Sequence, residues 1–115
     1  MSWTVINHDD FEPEYEALPQ DVQDELTAIR LLLERFGPRL GRPDVDTLSG
    51  SKMSNLKEIR FSTTDGEWRF AFAFDPKRRG VILVGGDKSG VAKDRFYKPL
   101  IRRAEARFAD WLKKG

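Results

Sequence analysis

An α+β domain is what this sequence predicts: a small antiparallel sheet in the element order β-α-α-β-β-β-α, with an N-terminal helical hairpin and a C-terminal helix. Three observations carry that prediction. Residues Glu67-Trp-Arg-Phe-Ala-Phe-Ala-Phe-Asp75 alternate at the two-residue period of a strand. Phe11, Tyr15, Leu18, Val22, Leu26, Ile29, Leu33 and Phe36 recur at the three- and four-residue spacings of a helix. Between Leu56 and Val84, apolar runs are joined by short turns, a pattern that pairs neighbouring strands antiparallel.

In chain order, Ser2–His8 carries β-branched and aromatic residues and reads as a short first strand. Either Asp9 or Asp10 is expected to cap the helix that follows, with Pro13 tolerated near its start. Pro19 ends that short helix and opens a longer one, which Gly37-Pro38 closes. Residues 39–55 read as a long loop, rich in Gly, Pro, Ser and Asp, that brings Arg39, Arg42 and Lys52 close to the sheet. Leu56–Ser62 is the second strand. Thr63-Thr-Asp-Gly66 turns into the aromatic strand, Asp75–Gly80 turns out of it, and Val81–Val84 is the fourth strand. Gly85-Gly-Asp-Lys-Ser-Gly90 is expected to leave the sheet as a flexible turn; it lacks the Gly-Lys-Ser/Thr ending of a phosphate-binding loop. Arg95–Lys114 is an amphipathic helix, with Pro99 expected in its first turn.

The aromatic strand organises the rest. One face presents Trp68, Phe70, Phe72 and Phe74, each able to bury ~150–250 Å². The other presents Arg69, Ala71, Ala73 and Asp75, a small surface expected to lie open. Ile59 and Phe61 of the preceding strand belong with the phenylalanines, which sends Glu58 and Arg60 to the side of Arg69. Lys57, at the strand's entrance, can turn either way. Tyr97 and Lys98, at the start of the last helix, fall near the same face.

A length of 115 residues suits a single domain spanning 1–115. No apolar run approaches the ~18–20 residues that span a bilayer, and the N-terminus lacks the basic-then-apolar pattern of a signal peptide. With no cysteine, a reducing cytoplasmic setting is the simplest expectation. A net charge of +1 hides segregation: residues 1–29 hold eight acids and no Lys or Arg, while the remainder holds all 20 Lys and Arg against 11 acids. The basic portion suits a polyanion such as RNA or DNA. His8 is the one histidine, so neither a His/Cys metal site nor a Ser-His-Asp triad is suggested, and no metal or cofactor is expected. A cluster of Arg and Lys with one Tyr and one Glu remains. Such a set can bind phosphates and stabilise a pentacovalent phosphate during attack by a ribose 2′-OH, with a Lys or Tyr serving as base if cationic neighbours lower its pKa.

The element order, together with Asn55-Leu-Lys-Glu-Ile-Arg60, Glu67-Trp-Arg-Phe-Ala-Phe72, Val84-Gly-Gly-Asp-Lys88 and Arg95-Phe-Tyr-Lys98, resembles the RelE/ParE superfamily of toxins, nearest its HigB-like, phage-derived branch. The resemblance implies a RelE-like fold and a type II toxin, held inactive by a cognate helix-turn-helix antitoxin and cleaving mRNA on the ribosome to leave 2′,3′-cyclic phosphates. It implies Arg69 as the phosphate clamp, Arg60, Lys57 and Lys88 as electrostatic support and Tyr97 as acid or base; Lys52, Arg42 and Lys98, placed near the sheet by the chain order, are further candidate RNA-binding cations. Where some HigB members place histidines near the site, this chain has none there. Two other readings stay open on the same fold: a ParE-like DNA gyrase poison, and a non-catalytic interaction module of phage origin.

Overall fold

The structure, a computed structural model, describes residues 2–115. Its elements are β1 (Thr4–Asn7), α1 (Glu12–Glu16), α2 (Gln20–Phe36), β2 (Val45–Thr47), β3 (Leu56–Thr63), β4 (Gly66–Phe74), β5 (Arg79–Asp87) and α3 (Lys93–Lys114). They form a five-stranded sheet in the order β1-β5-β4-β3-β2, with the α1–α2 hairpin on one face and α3 on the other. The α+β reading holds, and its purely antiparallel sheet is corrected in one respect. β1 runs parallel to β5, from Thr4 opposite Arg79 to Asn7 opposite Ile82. Four residues have a strand-like composition, but composition says nothing about which free edge will accept them or in which direction.

Aromatic alternation lands where expected. Phe70 and Phe72 are fully buried beneath α1 and α2, together with Phe11, Val22, Leu26 and Leu33. Phe70 stacks with Phe61 (ring centroids 5.7 Å apart) and with Trp68 (6.0 Å), while Phe72 meets Phe74 edge to face at 5.5 Å. Burying each such side chain is worth about 1.5–3 kcal/mol, which makes this layer the main source of stability.

The opposite face departs from expectation. Ala71 and Ala73 are fully buried, because α3 lies across them with Leu100, Ala104 and Phe108. A methyl group lets a helix backbone come close to the sheet, so the residues that read as open surface are a docking strip. Only the end of that face around Arg69 stays uncovered.

Four local expectations are revised. Neither Asp9 nor Asp10 caps α1: its N-cap is Phe11, without a side-chain cap, and the Asp10 backbone N–H donates to His8 Nδ1 at 3.0 Å. The buried His8 in turn reaches Asp110 through Nε2 at 3.1 Å, so its ring braces β1 against α3. The 39–55 loop contains β2, three residues anchored by buried Val45 opposite Ile59 and too short to show a period. Gly85 and Gly86 belong to β5. The strand lacks side chains there because the Phe70 ring lies over Gly85, where a Cβ would sit 2.0 Å from the ring, and Phe96 covers Gly86. A bulge in the same strand pairs Phe72 with Ile82 and Ala71 with Val84, so Leu83 and Val84 both serve the α3 face. Finally, α3 begins at Lys93, which places exposed Pro99 inside the helix beyond its first turn. Its ring faces outward, and the helix carries on past the one missing N–H donor.

Candidate active site

At the uncovered end of the α3 face lies a cleft of about 640 Å³. Strands β2, β3 and β4 form its floor. The segment after β5 and the first two turns of α3 form its wall. Six cationic side chains line it (Arg42, Arg60, Arg69, Lys88, Lys93 and Lys98) against three carboxylates (Asp46, Glu58 and Asp94), with Tyr97 between them. An adjoining groove of about 380 Å³ shares Arg42, Arg60 and Arg69 with the cleft.

Strand register explains the floor. Arg60 stands directly opposite Arg69, on the same side of the sheet, as the alternation requires. Arg69 is buried, 6% exposed. Its Nη1 donates to the Trp68 carbonyl at 2.9 Å, and its Nε has no hydrogen-bond partner among the described residues. A buried guanidinium with an unused donor is costly in isolation and is suited to an anion that completes it.

Next to it, the Tyr97 hydroxyl donates to Glu58 Oε1 at 2.8 Å. Glu58 is itself buried, 7% exposed. Burial raises the Tyr97 pKa, and the Glu58 carboxylate raises it further, through the hydrogen bond and through its charge; the Arg69 guanidinium opposes them and is outweighed. This direction is opposite to the lowered pKa that a tyrosine acting as base would need. Tyr97 is held as a phenol, and the acceptor in the pair is Glu58. Alternation had placed Glu58 on this face but gave no sign that a helix residue some forty positions later would bond to it.

Of the residues singled out in the sequence, Arg69, Arg60, Tyr97, Lys88, Arg42 and Lys98 all reach the cleft. Two do not. Lys57 pairs with Phe72 in the sheet and shares the face of Ile59, so it points toward the helical hairpin. Lys52 is exposed outside the cleft; its backbone N–H donates to Glu105 Oε2 at 2.7 Å, which pins the loop against α3. Residues the sequence reading passed over are Asp46, Lys93 and Asp94. Asp46 joins through β2, and the other two because α3 starts two residues earlier than its apolar period indicates.

A sheet of this order, with a helical hairpin on one side and a single helix on the other, defines a RelE-like domain. A mutant of the Escherichia coli toxin RelE, solved in the free state, superposes with a TM-score of 0.68 over 93% of this chain and 98% of that one, at 14% identity, a likeness of fold alone. The archaeal RelE of the RelE–RelB complex from Pyrococcus horikoshii gives 0.56, over 79% of this chain and all of that one, at 20% identity. The chain belongs to the family described as Phage derived protein Gp49-like (DUF891), whose model matches residues 13–109. Among its relatives, the candidate toxin HigB3 of Mycobacterium tuberculosis is 44% identical over 96 residues, 84% of this chain and 82% of that protein. The candidate toxin HigB2 of the same organism is 43% identical over 82 residues, 70% of this chain but only 40% of its own length. The HigB-like assignment within the RelE/ParE superfamily therefore stands.

Proposed function

We propose that this chain is the toxin of a type II toxin–antitoxin pair and acts as a ribosome-dependent mRNA endonuclease, cutting by attack of a ribose 2′-OH on the neighbouring phosphate. One observation carries the reading: buried Arg69, with its unpaired Nε, forms the floor of a cationic cleft beside a carboxylate–phenol pair. An anion-binding donor and a proton acceptor side by side are what this reaction requires. The toxin names of the HigB relatives and the RelE-like fold support the same conclusion. The archaeal RelE solved with RelB supports an antitoxin partner, here a small helix-turn-helix protein. With ribosomes and mRNA as partners, the place of action is the cytoplasm, and no helix of the described residues is long and apolar enough to cross a membrane.

The residues divide the chemistry as follows. Glu58 takes the 2′-OH proton on the oxygen that Tyr97 leaves free, and the 2′-oxygen bonds to phosphorus. Arg69 binds the phosphoryl oxygens as negative charge builds on them, with Arg60 and Lys88 in support. The bond from phosphorus to the 5′-oxygen breaks, and the Tyr97 hydroxyl protonates the leaving oxygen. The proton held on Glu58 then passes to the Tyr97 oxygen through solvent, restoring both groups. The products are a 2′,3′-cyclic phosphate and a 5′-hydroxyl. No metal ion enters the scheme, and no group of three or more metal-binding side chains occurs among the described residues.

Primer extension on cellular mRNA after induction tests the proposal. New 5′ ends in wild type, absent with Arg69→Ala at equal soluble level, are expected. Intact mRNA with a DNA-damage response would instead identify a gyrase poison and overturn the reading. Adding purified protein to naked mRNA and to a translating extract tests ribosome dependence, with cutting expected only in the second.

A further inference from the structure

Two like-charged pairs stand side by side on the floor of the cleft. Arg60 faces Arg69 across β3 and β4, and Asp46 faces Glu58 across β2 and β3. Like charges in direct cross-strand register are unfavourable, so each needs a counter-charge. Arg60 finds one in Asp46, to whose Oδ2 its Nη1 donates at 3.3 Å. The same Oδ2 accepts from Arg42, from Nη2 at 2.7 Å and Nε at 3.1 Å. Asp46 Oδ1 is held by the Thr47 N–H at 2.8 Å. One carboxylate on an edge strand thus occupies two of the three arginines common to the cleft and the adjoining groove. The third, Arg69, is left with its unpaired donor.

We propose that Asp46 is an internal competitor for phosphate, holding Arg42 and Arg60 in the free protein and giving them up when a polyanion enters. The inference rests on the RNA-cleaving reading and concerns the control of that same site. An arginine fork takes carboxylate and phosphate in the same geometry, so the two compete for the same donors. The Arg42–Asp46 pair lies at the surface, with the Arg42 side chain 74% exposed, and a pair of that kind opens readily. A ligand with one phosphate is served by Arg69 alone. A chain with successive phosphates gains the other two arginines by displacing Asp46, so the competitor sets a cost that only a ligand reaching all three arginines meets and offsets.

The test measures binding of a short single-stranded RNA with 2′-O-methyl riboses, which cannot be cut, and of inorganic pyrophosphate. The proteins are wild type, Asp46→Asn and Asp46→Asn/Arg42→Gln, each checked for folding by thermal melting. Asparagine keeps an oxygen for the Thr47 N–H; Asp46→Ser replaces it should Asn not fold. Asp46→Asn is expected to tighten RNA binding about tenfold at low salt, the scale of one charge removed at hydrogen-bond range. The logarithmic salt dependence should match that of wild type, because the same arginines meet phosphate in both complexes, and should be shallower by about 0.7 in Asp46→Asn/Arg42→Gln, which lacks one of them. In the double variant most of the gain should vanish. Affinities of Asp46→Asn for both ligands within twofold of wild type, or weaker, overturn the proposal, as does a salt slope steeper by about 0.7 or more in Asp46→Asn than in wild type, or the absence of any binding. If Asp46→Asn tightens pyrophosphate binding while no variant binds RNA, the competitor stands and the RNA-cleaving reading falls.

Discussion

Arg69, within β4, and Asp75, just past its end, lie six residues apart, and both are buried charges, 6% exposed apiece. They have opposite fates. Asp75 accepts the backbone N–H groups of Lys77 and Arg79, each at 2.9 Å, Arg79 Nε at 2.7 Å and Trp111 Nε1 at 2.9 Å. Arg79 also lies over the Trp111 ring, 4.9 Å from its centroid. Every bonding capacity of that carboxylate is used, and it ties the β4–β5 turn to the end of α3. Arg69 has one donor bonded to a backbone carbonyl and another unused. Geometry relates the two: Tyr97 to Trp111 spans about 21 Å of helix, and Arg69 to Asp75 about 20 Å of strand. One helix therefore closes over the carboxylate at one end and stops beside the guanidinium at the other. A buried charge that is fully paired is structural; one left partly paired at a cleft has capacity to spare, which the proposed function assigns to a phosphate.

Substitutions at the two positions should break the molecule in different ways. Asp75→Ala is expected to cost about 2–3 kcal/mol of stability in urea unfolding, because it leaves Trp111, half-buried Arg79 and two turn N–H groups without their acceptor. Its effect on toxicity should follow the loss of folded protein. Arg69→Ala should do the reverse, lowering cleavage about 10²–10³-fold while leaving the melting temperature unchanged or higher. An Arg69→Ala protein that melts markedly lower would place Arg69 with Asp75 as structure.

The pair beside Arg69 sharpens the contrast. Glu58→Gln should reduce single-turnover cleavage about 10²-fold or more, the effect of losing a general base. Tyr97→Phe should reduce it less, about tenfold, since water can protonate a leaving oxygen. Equal losses would contradict the division of roles.

Stability against pH should differ at the two ends in sign, and this is the smallest effect. At Asp75 burial pushes the pKa up, but the hydrogen bonds from Trp111 and Arg79 outweigh it, so the folded pKa lies below the ordinary value. A depressed carboxyl stabilises the fold above its unfolded pKa, near 4, and that contribution is lost as pH falls through the folded value. Tyr97 is raised, chiefly by burial. It stabilises the fold below its unfolded pKa, near 10, and that contribution is lost as pH rises through the folded value. Melting temperatures across pH should therefore fall at both extremes, with Asp75→Asn flattening the acid limb and Tyr97→Phe the alkaline one.

Much of this was legible in the residues. The two-residue period placed Phe70 and Phe72 in the core and set Arg60, Glu58 and Arg69 together, and the helical period marked Val22, Leu26, Ile29 and Leu33 as the buried stripe. Misreadings fell where a local pattern depends on a partner. Gly85 and Gly86 look like a turn until Phe70 and Phe96 are seen lying over them. Lys57 has no preference of its own and is sent away from the cleft by register.

By itself the sequence determined periodicity and charge: which side chains share a face, where cations gather, and that one face of β4 must be buried under apolar helices. Tertiary structure decided what covers the other face. Ala71 and Ala73 are equally suited to open water and to a helix backbone, because a methyl group is too small to demand either. Docking α3 there left only Arg69's end of the strand open to a cleft and brought the Tyr97 hydroxyl onto Glu58, 39 residues earlier in the chain, which raises the tyrosine's pKa.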